Sequence, residues 1–439
     1  MIRVRFAPSP TGHLHIGGLR GALFNYIFAK QNNGKFLLRI EDTDLLRSKE
    51  EYTQAIIDAF DWCNIKSDEE LVYQSKRLKL YQQYIDILLK NDKAYWIEEP
   101  NEEGILGKVL KCRVNKENDF IEFNDIIRGI IKFPISEIED FIIVRSDGMP
   151  LYNFVVVVDD IEMQISHIIR GEEHLSNTPK QIILYNAFSS KIPQFAHLPL
   201  ILGTDGKKLS KRDAATAVID YKYLGFLPEA LCAYLIRLGW SHGDQEIFTF
   251  DELYKLFDLS KVHSAGAMFD YNKLLWTNSI FIKKEDNNKL LLLCKSLKNE
   301  DLFKKWNDEK ICKLINIYKD RSETLIMLIE NINKVYTIAD NINEELVEIN
   351  FKNIKEKIEK ILIDFIEELN YIEILNSNSL KILFTNISKK NALELNDLFK
   401  LIRYALLNEI SSPSIYTIIE VLEKEDIINR IKLFLQKFN

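Results

Sequence analysis

The sequence predicts an α/β protein: a doubly wound parallel sheet carrying a small α+β insertion, followed by an all-α C-terminal region. Three observations predict it. All 16 glycines and nine of the ten prolines lie at or before Gly266, and from Thr277 to Asn439 there is no glycine and one proline, Pro413. Before that boundary apolar runs alternate with helical spacing and many turns, whereas beyond it the helical texture is unbroken. A strand, a helix and a second strand follow one another within the first 40 residues, which makes a βαβ unit and hence a parallel sheet.

The elements follow in order. Residues 3–6 alternate as a first strand. Leu19, Ala22, Leu23, Tyr26, Ile27 and Lys30 recur at helix spacing. Residues 36–40 read as a second strand, 154–158 as a third and 198–202 as a fourth. Residues 98–145 interrupt the alternation with short β-like runs at 120–123 and 130–133, and read as an insertion between two halves of the sheet. In the last part, 323–338 and 398–407 have helical spacing.

A chain of 439 residues implies two to four domains. Its 46% hydrophobic and 28% charged residues are those of a soluble globular protein. No run approaches the ~18 apolar residues of a membrane span, and the first residues lack secretory signal architecture. Membrane, secreted and collagen-like classes are set aside, and the cytoplasm is expected. The five cysteines, Cys63, Cys112, Cys232, Cys294 and Cys312, have no C-x-x-C spacing, so zinc is not expected and buried reduced thiols are. The net charge of −7 gives no hint of a nucleic-acid partner, but phosphate contacts depend on local patches.

The stretch from Pro8 to Gly18 links the first strand to the first helix, where a doubly wound sheet opens its ligand crevice. Gly12, Gly17 and Gly18 admit close approach of a ligand, and the helix start offers N–H groups to an anion. His13 and His15 can donate to phosphate oxygens there. Taken alone, the loop reads more plainly as a proline-and-glycine turn that ends a strand. A second element, Gly206 to Arg212, places four cations in six residues, which must face solvent or an anion. Ile40-Glu41-Asp42-Thr43-Asp44 ends the second strand with three acidic groups, suited to a ligand amine or to a metal. Arg5 and Arg170 are candidates for a clamp on a carboxylate, with Glu41 taking an amino group and Tyr152 and Ser9 giving neutral hydrogen bonds. For each arginine by itself a surface salt bridge is the plainer reading.

Together these elements resemble the class I aminoacyl-tRNA synthetases: the first matches their HIGH signature and Lys208-Leu209-Ser210-Lys211 their KMSKS signature. RIEDTD (39–44), YQSKR (73–77), SDGMPLYNF (146–154), VVDD (157–160), IIRGEEHLSNTP (168–179), LGWSHGDQEIF (238–248), LFDLSKV (256–262) and FDYNKLLW (269–276) resemble the bacterial glutamyl-tRNA synthetase family. The likeness covers nearly all of 1–280 and extends weakly to Ser412-Pro413-Ser414.

The resemblance implies a Rossmann-like catalytic domain in two halves, 1–97 and 146–225, a connective insertion at 98–145 that binds the acceptor end, a stem-contact region at 226–280 and a helical anticodon-binding region at 281–439. It implies that Arg5, Ser9, Glu41, Tyr152 and Arg170 hold glutamate. It places ATP, with Mg²⁺, at Pro10, Thr11, Gly12, His15, Gly17, Gly18, Leu209, Ser210 and Lys211, and makes His15, Lys208 and Lys211 catalytic. The expected partners are L-glutamate, ATP and tRNA-Glu or also tRNA-Gln, with bound tRNA needed for activation and the chain a monomer.

Three features depart from the family. The zinc-binding Cys-x-Cys is missing near Tyr95 to Pro100. Asp213-Ala214 replaces a common His-Gly. His263 to Ala267 carries fewer cations than the usual Ser-Lys-Ser-Pro-Ala. Residues 277–439 hold 25 Lys and Arg against 26 Asp and Glu, so an anticodon reader there must sort its cations onto one face. Other readings are a paralogue that charges tRNA-Gln, a glutamyl transferase acting on a tRNA nucleoside, and a catalytically inactive tRNA-binding regulator. The long helical part disfavours the transferase, and the intact signatures disfavour the regulator.

Overall fold

Alternation makes β1 (Arg3–Phe6) a strand, and α1 (Ile16–Gln31) crosses back over it to β2 (Lys35–Ile40). The two strands pair in parallel, Arg5 opposite Leu37, so the expected βαβ unit is present. The helix buries Leu19, Leu23 and Ile27 against it. The computed structural model describes all residues except 45, 101–103, 208, 210–216, 299, 338–343, 411–412 and 439. These form two units, Met1–Tyr223 with Pro228–Thr277, and Leu224–Leu227 with Asn278–Asn439.

In the first unit α2 (Glu50–Trp62) leads to β3 (Val72–Tyr73), parallel to β2, and α3 (Leu78–Lys90) follows. Five strands come next: β4 (Ala94–Pro100), β5 (Leu106–Cys112), β6 (Phe120–Asp125), β7 (Gly129–Pro134) and β8 (Phe141–Val144). Antiparallel pairing gives the order β4-β5-β8. After α4 (Tyr152–Glu162) come β9 (His167–Gly171), α5 (Thr178–Ala187) and β10 (Gln194–Leu198). Strands β9 and β10 are parallel, and the β6–β7 hairpin adds to them in the order β7-β6-β10-β9, Asp125 opposite Phe195. The hairpin therefore widens the main layer instead of standing apart from it. On the other edge Ser166 N–H donates to Arg3 O at 2.9 Å, setting β9 beside β1. A core that includes Leu37, Tyr81, Leu110, Phe154, Ile168 and Phe195 lies under these strands.

Two expectations are corrected. Residues 154–158 are not a strand but the body of α4. All five side chains, Phe154 to Val158, are buried, so the helix shows no polar face and its sequence loses the 3.6-residue period. The run 198–202 is not continuous: β10 stops at Leu198, and β11 (Ile201–Leu202) resumes beyond Pro199, which has no N–H to donate to a ladder. Strand β11 pairs in parallel with β12 (Ala267–Met268).

The second unit is helical throughout its described elements, with apolar stripes facing inward. The helix expected at 323–338 runs Leu325–Tyr336, and the one at 398–407 lies within Leu395–Leu407. Leu328, Ile329, Phe365, Phe384, Leu401 and Ile431 are among its fully buried residues. The segment 224–227 is held by Asn278, whose Oδ1 accepts Leu227 N–H at 2.8 Å and whose Nδ2 donates to Glu323 O at 2.7 Å. Gly225, at φ +84°, lets that segment pass where a Cβ would stand 2.7 Å from Ile326 N.

Candidate active site

The side chains singled out from the sequence gather at the carboxyl ends of parallel strands, where an open α/β sheet leaves its crevice. Arg5 comes from β1, Glu41 from the residue after β2, Arg170 from β9, and Tyr152 from the first turn of α4. Glu41 N–H donates to Pro8 O at 2.9 Å, which ties the end of β2 to the loop before α1.

A buried charge network underlies them. Asp160 is fully buried in α4 and accepts from Arg5 (Nε–Oδ1 3.0 Å, Nη2–Oδ2 3.2 Å) and from Arg39 (Nη1–Oδ1 2.7 Å). Arg39 also donates to Glu41 Oε1 at 3.2 Å. Asp159 accepts from Gln74 at 2.8 Å and Tyr81 OH at 3.0 Å, with Arg77 Nη1 2.8 Å away. Burial lowers the Arg39 pKa, but Asp160, Asp159 and Glu41 raise it further, so it stays charged. Burial would raise Asp160, yet Arg5 and Arg39 outweigh it and hold the carboxyl below its usual value. Glu41 goes the other way: burial outweighs Arg39 and Arg5, and its pKa is raised. In this cluster the guanidiniums of Arg5, Arg39, Arg77 and Arg170 stand with the carboxyl groups of Glu41, Asp159 and Asp160, and Asp125 joins them through His197.

The two candidate clamp arginines differ. Arg5 spends one edge on Asp160, and among the described partners its Nη1 donors remain for a ligand. Arg170 donates Nε to His197 Nε2 (3.1 Å), Nη1 to Gln181 Oε1 (2.8 Å), and Nη2 to Thr178 Oγ1 (2.8 Å) and His174 O (3.3 Å). It is left with charge and one further N–H to offer. Tyr152 OH lies 3.2 Å from His174 Nδ1. Burial, then Glu41, pushes the Tyr152 hydroxyl up to about 12, so it remains a neutral donor. Burial, then Arg170, pulls His174 down to about 4 and keeps it neutral.

On the loop, His15 is the N-cap of α1: its Nδ1 accepts Gly18 N–H at 3.2 Å, leaving Nε2 as the protonated nitrogen. A Cβ on Gly17 would lie 3.0 Å from the His15 ring, so the glycine makes room for that imidazole. A Cβ on Gly12 would meet nothing, which keeps the space over the loop open. Ser9, Thr11 and His15 are exposed, Pro10 is buried, and Ser9 O accepts Thr11 N–H at 2.9 Å. Val218 N–H donates to Leu14 O at 2.8 Å, so the chain returns to this loop after residue 216. Leu209 N–H donates to Ile201 O at 2.9 Å. Lys208, Ser210 and Lys211, as well as Asp213, lie outside the described residues.

The acidic triplet is not a metal cluster. Glu41 turns to Arg39, Asp42 accepts from Ser75 N–H (2.8 Å) and Oγ–H (2.6 Å), and Asp44 pairs with Arg47 at 2.6 Å. The five cysteines are free thiols, four of them buried, as expected. Sequence reasoning gave no role to Arg39, Asp160, His174, His197 or Asp125. Arg39 had one signal, a charged residue inside an otherwise apolar strand. Asp160 and His174 lie within the family-like stretches 157–160 and 168–179, whereas Asp125 and His197 pair with each other across 72 positions.

Removing the Arg39 charge takes a cation from three buried carboxylates, Asp160, Glu41 and Asp159. Arg39→Met should destabilise the first unit by about 3–5 kcal/mol, measured as a lowered denaturation midpoint; a midpoint unchanged from wild type would contradict the network.

Comparison with known proteins agrees with this geometry. Residues 1–105 and 106–276 match the family model for the catalytic domain of class I tRNA synthetases (E and Q), and residues 291–435 match an anticodon binding domain. Glutamate–tRNA ligase 2 of Campylobacter concisus is 42% identical, with all of both chains covered. Glutamate–tRNA ligase 1 of Aliarcobacter butzleri is 41% identical over all of this chain and 99% of that one. The crystal structure of a glutamate tRNA ligase from Elizabethkingia meningosepticum in complex with its amino acid has a TM-score of 0.89 at 30% identity, over the whole of both chains. With both family models matched and likeness over its full length, the chain belongs to the glutamate–tRNA ligase family of class I tRNA synthetases.

Proposed function

We propose that this chain joins L-glutamate to the 3′-terminal adenosine of tRNA-Glu at the cost of ATP. The observation that carries the reading is the gathering of Arg5, Glu41, Tyr152 and Arg170 at the strand ends, beside a helix start suited to phosphate. Glutamate offers two carboxylates to the arginines and one ammonium to Glu41. Arg5 grips a carboxylate with its outer edge, Arg170 adds charge and one N–H, and Glu41 takes the ammonium, which offsets the cost of its burial. Tyr152 and Ser9 complete the pocket with neutral hydrogen bonds.

Two steps follow. The glutamate α-carboxylate attacks the α-phosphorus of ATP, an O–P bond forms, and the bond to the β-phosphate oxygen breaks to release pyrophosphate. A ribose hydroxyl of the terminal adenosine then attacks the activated carbonyl, loses its proton, and AMP leaves. Neither step needs an enzyme nucleophile, so positioning and charge stabilisation carry the rate. His15 donates from Nε2 to the phosphates beside Pro10, Thr11, Gly12, Gly17 and Gly18. Leu209 and Ser210 contribute to the nucleotide contacts, and Lys208 and Lys211 neutralise charge on the departing pyrophosphate. Mg²⁺, when bound with ATP, would supply charge neutralisation at the phosphates; Asp42 and Asp44 are engaged with Ser75 and Arg47. No zinc is expected in 98–145, where Cys112 is the single cysteine of the sequence. The helical unit reads the anticodon, bound tRNA is required for activation, and the enzyme works as a cytoplasmic monomer. No helix among the described residues is long and apolar enough to cross a membrane.

A second reading is kept because several relatives are numbered 1 or 2, as in Campylobacter concisus and Helicobacter pylori: a paralogue that puts glutamate on tRNA-Gln. Charging purified tRNA-Glu and tRNA-Gln separately with labelled glutamate decides between them. Label on tRNA-Glu supports the main reading, label on tRNA-Gln alone the second, and label on neither with intact tRNA contradicts both.

Two variants test the roles. Lys211→Ala should lower kcat of ATP–pyrophosphate exchange by about 10²–10³ while shifting the glutamate KM little; unchanged exchange would remove Lys211 from catalysis. Arg170→Ala should raise the glutamate KM by about tenfold or more with less effect on the ATP KM; an unaltered glutamate KM would take Arg170 out of the site.

A further inference from the structure

We propose that Asp125 and His197 are positioning residues that hold the Arg170 guanidinium in its glutamate-binding orientation, so that the β6–β7 hairpin is a working part of the amino-acid site. The inference rests on the reading of Arg170 as a glutamate-holding group.

The geometry is a relay of three buried groups. Asp125 closes strand β6 and is 1% exposed, and the His197 side chain in β10 is fully buried. His197 Nδ1 lies 2.6 Å from Asp125 Oδ2 and its Nε2 lies 3.1 Å from Arg170 Nε. Arg170 always donates, so Nε2 must be the accepting nitrogen and Nδ1 must carry the proton. The carboxylate of Asp125 enforces that choice because it accepts and never donates. The same carboxylate is anchored by the hairpin itself. Its Oδ1 accepts Ile127 N–H and Arg128 N–H, both at 3.0 Å, and Oδ2 accepts His197 N–H at 3.1 Å. Arg128, in the hairpin turn, donates to His197 O at 3.2 Å and pairs with Glu172. The hairpin thus fixes Asp125, Asp125 fixes the imidazole tautomer, and the imidazole fixes Arg170. Thr178 and Gln181 hold the other guanidinium nitrogens, so a rotation at Nε disturbs the whole set.

An amide at position 125 reverses the logic. Its oxygen is claimed by the backbone N–H groups of 127 and 128, and its NH₂ then faces Nδ1. The imidazole must move its proton to Nε2, where it points at the Arg170 Nε–H, donor against donor. Asp125→Asn keeps the volume of the side chain, removes its charge and turns an NH₂ toward both Nδ1 and the N–H of His197 that Oδ2 accepts.

The test is steady-state ATP–pyrophosphate exchange in the presence of tRNA, with glutamate and ATP varied separately. Asp125→Asn is expected to raise the glutamate KM at least fivefold and to leave the ATP KM within about twofold. His197→Leu, which removes the acceptor, should raise the glutamate KM as much, and His197→Gln, which keeps an acceptor toward Arg170, should lose less. In the double variant Asp125→Asn/His197→Gln the Asp125 effect should vanish, because no imidazole remains to be mis-protonated. A glutamate KM unchanged by Asp125→Asn, an equal rise in both KM values, or additive effects in the double variant overturns the proposal. Should Asp125→Asn fail to fold, the comparison of His197→Leu with His197→Gln decides, and equal glutamate KM values overturn it. If Arg170→Ala raises the glutamate KM while Asp125→Asn does not, the relay alone fails. If Arg170→Ala has no effect, the reading of Arg170 fails with it.

Discussion

A carboxylate buried between two guanidiniums organises the catalytic half of this molecule. Moving an ion from water into a protein interior costs several kcal/mol, and the cost is offset only by partners in good geometry. Asp160 has them because β1 delivers Arg5, β2 delivers Arg39 and α4 delivers the carboxylate itself. A shift of any one element by a residue would strand a charge. The network therefore sets the register of two strands and a helix, and through Arg39 it also sets where Glu41 points.

The two candidate clamp arginines differ in what the protein has already taken from them. Arg5 turns one edge inward and keeps donors on the other, so it supplies directional hydrogen bonds. Arg170 has most of its donors committed to Gln181, Thr178, His174 and His197, so it contributes a charge in a fixed place. On the proposed reading, one group recognises shape and the other recognises sign. A neutral analogue of an acidic ligand would leave that charge buried and unmatched, the situation in which discrimination is large.

Much of this was legible in the sequence where the signal is local. The βαβ start, the glycine loop and the strand-end positions of Arg5 and Glu41 follow from alternation, helical spacing and punctuation within 41 residues. The glutamate roles of Tyr152 and Arg170 came from family resemblance, and the structure brings both to the same crevice as Arg5. The misreading of 154–158 has a plain cause: a helix covered on every side has no polar stripe to betray its period, and five apolar residues in a row look like an interior strand. Pro199 could have warned against an unbroken strand at 198–202. Arg39 with Asp160, and Asp125 with His197, were out of reach because their partners lie 121 and 72 positions away.

Those separations also bear on how the chain is made. Arg5 and Asp160 are 155 positions apart, and Asn25 in α1 donates to Ile169 O across 144. Translation proceeds at roughly 5–20 residues per second, so β1 and its arginine wait on the order of ten seconds or longer for α4 and β9 to emerge. For that interval the nascent βαβ unit has an open strand edge and unpaired cations that only later sequence can cover. Until then the edge of β1 stays open to any other strand that can pair with it.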